Sequence, residues 1–197
     1  MKKNNKSLDI SAAKKICADY ICPTYGERQL LFTHGKGCYL FDHTGKKYLD
    51  FLSGIAVNSL GYANKMLCAA ISNQSQKLIH ISNLFFTEPQ LKLAERYAKL
   101  TKDYKLFFCN SGAEANEAAL KLSRKFGAGK KFSVISFKNS FHGRTLATIS
   151  ATGQEKYQLP FKPLVERFEY ADYNNLSSVK KLLKKDTVAV MLELIQC

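Results

Sequence analysis

From residue 105 onward, short apolar runs alternate with longer stretches in which apolar residues recur at helical spacing. The apolar runs are bounded by turn residues and predict buried strands at 105–109, 132–137, 165–169 and 188–194. The stretches between them predict helices over 113–126 and 174–185, and a helix or irregular turn over 142–151. This alternation is typical of the α/β class, with a mostly parallel sheet and flanking helices.

The chain before residue 105 has a different pattern. Residues 35–52 alternate apolar and polar positions around the turn sequence Asp42–Gly45, which predicts a β-hairpin. A short helix is predicted after a basic lead-in within residues 1–22, and further helices over 63–80 and 88–100.

Composition narrows the class of protein. The chain is 46% hydrophobic, which is enough for a folded core and too much for a disordered protein. No apolar run approaches the ~18 residues that span a bilayer, and none follows the basic N-terminus. We therefore expect neither a membrane span nor a secretory signal, and the cytoplasm is the expected location. The six cysteines form no C-x-x-C pair, so no metal site is expected.

The net charge of +14 would suit a nucleic-acid-binding protein. However, the excess is nearly all lysine, spread along the chain, and no aromatic–basic RNA-binding motif is present. Lysines on solvated helical faces are the preferred interpretation. A basic nucleic-acid-binding protein stays open as an alternative supported by charge alone.

A candidate anion site lies at the turn between the predicted strand 105–109 and the predicted helix 113–126. Ser111 is suited to cap the helix, and Gly112 lets a ligand approach the backbone closely. Unpaired N–H groups and the positive end of the helix dipole favour a phosphate at such a place. Ser111 followed by Glu114 is equally well an ordinary capping box, and the local pattern leaves both interpretations open.

Two further candidates follow predicted strands, where ligands bind in open α/β sheets. In the segment 141–144, Phe141 could stack on a planar ring or pack in the core. Arg144 could bind a carboxylate through two parallel hydrogen bonds or form a surface salt bridge. Glu193 ends the last apolar run, where a carboxylate either serves a site or faces water at the rim of the sheet. No catalytic step is assigned to His142.

Three long segments closely resemble class III pyridoxal-phosphate-dependent aminotransferases. They are PTYGERQLLFTHGKGCYLFDHTGKKYLDFLSGIAVNSLGY at 23–62, FFCNSGAEANEAALKLSRKF at 107–126, and SFHGRTLATISATGQEKYQLPFKPL at 140–164. Within that class, GIAVNSLG at 54–61 looks most like the acetylornithine aminotransferases. The resemblance implies the type I PLP-dependent transferase fold, with residues 1–60 contributing to the small domain and 61–197 to an incomplete large cofactor-binding domain.

The resemblance also implies roles for single residues, with pyridoxal 5′-phosphate as the cofactor. Gly112 and Ala113, assisted by Ser111, would bind the cofactor phosphate. Phe141 would stack on the pyridine ring and Glu193 would lie beside the cofactor. Arg144 would hold the α-carboxylate of the substrate.

The implied activity is transfer of the terminal amino group of N-acetylornithine, or of a similar ω-amino acid such as ornithine or succinyl-diaminopimelate, to 2-oxoglutarate in arginine biosynthesis. The implied assembly is a homodimer, with neither nucleic acid nor membrane as partner.

The sequence departs from the family pattern at Leu194, where proline is usual, at Tyr62–Lys65, and at Cys197, where glycine is expected. The Schiff-base lysine of the family has no counterpart in its motif context here, so no catalytic residue is assigned. We therefore expect a truncated chain that is inactive alone, with a non-catalytic cofactor- or partner-binding remnant as the alternative.

Overall fold

The computed structural model describes residues 8–102 and 104–196. Its internal contacts divide the chain into two compact units, Met1–Glu88 and Pro89–Cys197. All of the candidate site residues belong to the second unit. The predicted boundary at residue 60 concerns the domains of longer family members and stays a prediction.

The first unit combines a three-stranded antiparallel sheet with short helices. Its elements are α1 (Ile10–Tyr20), β1 (Phe32–Lys36), β2 (Tyr39–Asp42), β3 (Lys47–Leu49), α2 (Ser53–Ala56) and α3 (Lys65–Ser75). The strands pair in the order β1-β2-β3, with Leu40 opposite Tyr48. The predicted hairpin is therefore confirmed as β2–β3, and β1 is an additional strand that the pattern did not predict.

A buried carboxylate organises the turn of this hairpin. Asp42 accepts hydrogen bonds from the hydroxyl of Thr44 at 2.7 Å, from the hydroxyl of Tyr48 at 2.9 Å and from the N–H of Lys46 at 3.0 Å. These bonds, that from the Thr44 hydroxyl first, lower the pKa of Asp42 to about 2. The turn is thus held by an ionised side chain rather than by glycine alone.

The departure from the family pattern at Tyr62–Lys65 forms regular structure. The hydroxyl of Tyr62 donates to Asp50 Oδ2 at 2.6 Å, and the Tyr62 ring lies where a side chain on Gly35 would otherwise be. Asn64 caps α3 by accepting from the N–H groups of Met66 and Leu67, each at 3.1 Å. The altered residues therefore support the local fold.

The second unit is built on a parallel sheet. Beginning with the helix at the boundary, its elements are α4 (Glu88–Thr101), α5 (Gly112–Phe126), β4 (Ser133–Phe137), α6 (Leu146–Ala151), α7 (Glu155–Gln158), a 3₁₀ turn (Leu159–Phe161), β5 (Phe168–Ala171), α8 (Leu176–Leu182) and β6 (Thr187–Val190). The strand order is β5-β4-β6, and both pairings are parallel. The central strand β4 is buried throughout, and Ile135, Phe137 and Ala171 form a core cluster. The predicted α/β class is confirmed.

One predicted element is wrong and several boundaries differ. Residues 105–109 form no strand, and Phe107 is 69% exposed. A strand requires a hydrogen-bonded neighbour, and no described strand pairs with this segment. The third and fourth predicted strands are confirmed as β5, which begins three residues later than 165, and β6, which ends at Val190. No helix in the described residues is long and apolar enough to cross a bilayer.

Candidate functional site

The N-terminus of α5 carries one of the two bonds of the predicted capping box. The hydroxyl of Ser111 accepts from the N–H of Glu114 at 3.1 Å. The Glu114 carboxylate reaches back and accepts from the N–H of Asn110 at 2.6 Å. The bond to the Ser111 hydroxyl is that of an ordinary capping box, whereas the Glu114 carboxylate bonds one residue before the N-cap. These two bonds use only part of the hydrogen-bonding capacity of this helix end.

Gly112 and Ala113 supply the remaining donors. They are the first two helical residues, so their N–H groups have no partner within the helix, and the capping bonds of Ser111 and Glu114 do not involve them. A Cβ added at Gly112 would meet no atom within 4 Å, so there is open space at this turn. Free N–H groups at the positive end of a 15-residue helix suit an anionic group such as a phosphate.

The segment 141–145 packs directly against α5. The side-chain amide of Asn116 donates to the carbonyl oxygen of His142 at 2.7 Å. A Cβ added at Gly143 would lie 3.0 Å from the Cβ of Ala113 and 2.6 Å from Oγ1 of Thr148. The φ of Gly143, 136°, is also one that other residues rarely adopt. The absence of a side chain at Gly143 is thus what lets this segment reach the helix end.

The backbone of Phe141 is hydrogen-bonded to the side chain of Glu193 at the edge of the sheet. The N–H of Phe141 donates to Oε2 of Glu193 at 3.2 Å. Phe141 is 44% exposed, and its ring meets the ring of Tyr157 edge-on, with centroids 6.2 Å apart. An aromatic face is therefore available to a planar ligand on this side of the sheet. Arg144, from the same segment, is exposed.

A buried network of hydroxyl groups holds His142, which belongs to the 141–145 segment. The hydroxyl of Ser136 donates to the carbonyl of Ala151 at 2.6 Å, which uses its single proton. His142 Nε2, 3.1 Å from Ser136 Oγ, must then be the donor in that pair. Burial lowers the pKa of His142, and the negative charge of Glu193 partly opposes this, so the ring is neutral near pH 7. The backbone N–H of His142 donates to Oγ1 of Thr152 at 3.0 Å.

The structure thus brings together the elements that carry the predicted residues. Gly112 and Ala113 lie at the helix end, the segment with Phe141 and Arg144 packs on the same helix, and Glu193 bonds to that segment. The roles of these side chains toward a ligand stay predictions.

Sequence reasoning missed the residues that hold the site together: Asn116, Glu117, Ser136, Thr148 and Tyr157. The only available signal for some of them was the unusual density of serine and threonine between 133 and 152, in a region that proves to be buried.

An open helix end, an exposed aromatic residue and an arginine beyond the carboxyl ends of parallel strands are features that suit a phosphorylated planar ligand. The Aminotransferase class-III family matches residues 21–197, and the chain belongs to that family. Class III aminotransferases depend on pyridoxal phosphate, and the donors at Gly112 and Ala113 suit its phosphate.

Among curated relatives, the chain is 46% identical over 177 residues to the acetylornithine aminotransferase of Archaeoglobus fulgidus, covering 90% of this chain and 47% of the relative. It is 48% identical over 181 residues to the acetylornithine aminotransferase of Aquifex aeolicus, with 90% and 48% covered. The chain therefore spans about half the length of the curated relatives it matches.

Solved structures show the same fold. The ornithine aminotransferase of Toxoplasma gondii superposes with a TM-score of 0.89 at 26% identity, covering 100% of this chain and 50% of that one. The adenosylmethionine-8-amino-7-oxononanoate aminotransferase of Methanocaldococcus jannaschii gives a TM-score of 0.83 at 30% identity, with 92% and 46% covered. The chain has the type I fold of PLP-dependent transferases.

Proposed function

We propose that this chain supplies the cofactor-binding half-site of an aminotransferase that moves the terminal amino group of N-acetylornithine, or of a similar ω-amino acid, to 2-oxoglutarate in arginine biosynthesis. The observation that carries the proposal is the packing of the 141–145 segment against the open end of α5. The substrate class is supported by the names of the relatives in Archaeoglobus fulgidus and Aquifex aeolicus. For the aminotransferase to which this half-site would belong we also propose a homodimer in the cytoplasm.

The phosphate-binding part consists of main-chain donors. The N–H groups of Gly112 and Ala113 would bind the phosphate oxygens, with the Ser111 hydroxyl nearby at the N-cap. Hydrogen bonds from neutral N–H groups to a charged acceptor are stronger than those to neutral acceptors. Because these donors belong to the helix backbone, they are already oriented before a ligand binds, and little entropy is lost on binding.

The ring-binding part consists of Phe141 and Glu193. The exposed face of Phe141 would stack on the pyridine ring, and the bond from its N–H to Glu193 fixes the backbone from which the ring projects. Arg144 would hold the α-carboxylate of the substrate through its two parallel donors. The neutral His142 stays buried and supports this segment without transferring a proton.

When bound, the cofactor supplies the carbonyl that accepts the amino group and the conjugated ring that withdraws electrons. The residues assigned here bind and orient it. None of the assigned residues is a base that moves a proton between carbon atoms, and no lysine lies in the sequence context of the family's Schiff-base lysine. We therefore propose that the 197-residue polypeptide binds the cofactor and does not turn over substrate by itself.

The proposal is tested by separating binding from turnover. The 197-residue chain should bind 4′-deoxypyridoxine 5′-phosphate, an analogue without the reactive aldehyde, and should bind deoxypyridoxine without phosphate far more weakly in calorimetric titrations. Glutamate formation from N-acetylornithine and 2-oxoglutarate should appear only when a polypeptide with the second half of a relative is added. Equal affinity for the two analogues, or pyridoxal-phosphate-dependent turnover by the chain alone, contradicts the proposal.

A further inference from the structure

Two consecutive residues of α5 contact opposite ends of the short segment that carries Arg144. The side-chain amide of Asn116 donates to the carbonyl oxygen of His142 at 2.7 Å. The carboxylate of Glu117 accepts a hydrogen bond from the hydroxyl of Thr145. These contacts join positions 26 and 28 residues apart in the chain. We refer to Asn116 and Glu117 as the α5 clamp.

The residues around the α5 clamp restrict where the segment that carries Arg144 can lie. Both side chains are half-buried. The Asn116 contact is itself part-buried, where a polar group without a partner is costly, whereas the Glu117 contact with Thr145 is exposed. Between the two contacts, Gly143 lies against Ala113 so closely that an added Cβ would be 3.0 Å from the Cβ of Ala113. The segment is therefore held at both ends and in contact at its middle, directly beside the phosphate-binding turn.

Each end of the segment is also fixed from its other side. The N–H of His142 donates to Oγ1 of Thr152 at 3.0 Å, and the N–H of Thr145 donates to Oγ1 of Thr148 at 3.0 Å. These bonds place the segment on α6, whereas the α5 clamp places it on α5. Loss of the α5 clamp should thus leave the segment attached to α6 through these two N–H bonds alone, so that they open more often and the segment can shift relative to Gly112 and Ala113.

We propose that Asn116 and Glu117 are positioning residues that set the distance between the phosphate-binding end of α5 and the ring- and carboxylate-binding side chains Phe141 and Arg144. This inference rests on the proposed function and deepens it. Catalytic and binding groups tolerate little displacement, since a shift of ~1 Å can cost ~100-fold in rate. Neither residue of the α5 clamp needs to touch the ligand for this effect.

The decisive variant is Asn116→Asp, which keeps the shape of the side chain and replaces its N–H donor by an oxygen facing the carbonyl of His142. Glu117→Leu removes the acceptor for Thr145, and Glu117→Gln restores a neutral one. Asn73→Asp, at an exposed position of α3 in the first unit, makes the same substitution and the same charge change.

The first readout is hydrogen exchange in the ligand-free chain. In Asn116→Asp and Glu117→Leu, the amides of His142 and Thr145 should exchange about 2- to 10-fold faster, the equivalent of one net hydrogen bond, while those of β4 are unchanged. Glu117→Gln and Asn73→Asp should exchange like the wild type. Unchanged exchange at His142 and Thr145 overturns the proposal, and so does faster exchange throughout β4.

The second readout compares two ligands, inorganic phosphate and 4′-deoxypyridoxine 5′-phosphate. Compared with Glu117→Gln, which has the same charge, Glu117→Leu should bind the ring-bearing ligand about 10-fold or more weakly and inorganic phosphate with the same affinity, because only the ring depends on the segment. An equal loss for both ligands, or no loss for either, overturns the proposal. If the wild type binds neither ligand, the proposed function fails for this chain, and the exchange readout alone then decides whether the α5 clamp exists.

Discussion

Replacement of Gly112 by aspartate separates ligand binding from folding at the proposed phosphate site. Gly112 is the first residue of α5, and an added Cβ there meets no atom within 4 Å, so the new side chain is accommodated without a clash. A carboxylate in the first turn interacts favourably with the helix dipole and stabilises a helix by ~0.3–1 kcal/mol. The same carboxylate lies where the phosphate should bind. The variant is therefore expected to fold at least as stably as the wild type and to lose the ligand.

The size of the loss follows from the repulsion between the charges. Two unit charges ~4 Å apart repel by ~1 kcal/mol in bulk water and by ~4 kcal/mol near a protein surface. A phosphate monoester carries ~1.5–2 negative charges near neutral pH. Even the weaker limit gives ~1.5 kcal/mol, which corresponds to a Kd raised by ~10-fold.

Calorimetric titration with 4′-deoxypyridoxine 5′-phosphate measures this loss, and urea denaturation measures the stability. Gly112→Ala is the steric control and should bind like the wild type, because it keeps the N–H group and adds only a methyl in open space. Gly26→Asp makes the same charge change at another position where an added Cβ meets nothing within 4 Å. Unaltered binding by Gly112→Asp, or an equal loss in Gly26→Asp, refutes the reasoning.

Three further predictions concern stability, two in the second unit and one in the first. Gly143→Ala should destabilise the second unit by ~1–3 kcal/mol, because the methyl would collide with Thr148 and the φ of 136° would be strained. Ser136→Ala should lower the free energy of unfolding by ~1–3 kcal/mol, because it leaves His142 Nε2 without its buried acceptor. The pKa of Asp42 is lowered from 3.8 to about 2 in the folded state, so its contribution to stability is complete above pH 3.8 and is lost as the pH falls toward 2.

The same urea denaturation experiments check all three predictions. A Gly143→Ala variant as stable as the wild type would show that the 141–145 segment can move away from α5 without loss of stability. An unchanged free energy of unfolding in Ser136→Ala would show that the buried bond from His142 to Ser136 does not stabilise the fold. For Asp42, the variant Asp42→Asn should lose the part of the pH dependence between 3.8 and about 2, and a profile identical to that of the wild type contradicts the assignment.

Local signals were sufficient for elements that carry their own stabilising contacts. The helix α5 was predicted because Ser111 directly precedes it, Glu114 lies in its first turn, and the bond between them caps the helix. The hairpin was predicted because Asp42 and the turn that it organises lie within a few residues of each other. The apolar run at 105–109 was misinterpreted because a strand depends on a distant neighbour, which periodicity does not report.

The components of the site were predicted better than the means by which they are assembled. The phosphate-binding turn and the aromatic–arginine segment have recognisable motifs. The bond from Asn116 to the carbonyl of His142 joins a side chain to the main chain 26 residues away, and a carbonyl group has no sequence signature. Likewise, the burial of Ser136 follows from its central strand and not from its residue type.

The most direct test of the account is an NMR titration of the 197-residue chain with 4′-deoxypyridoxine 5′-phosphate, observing backbone amide shifts. The largest downfield shifts are expected at Gly112 and Ala113, together with ring-current shifts of protons around Phe141. Shifts confined to other residues, or shifts at Phe141 without any at Gly112 and Ala113, would contradict the claim that the end of this helix binds the cofactor phosphate.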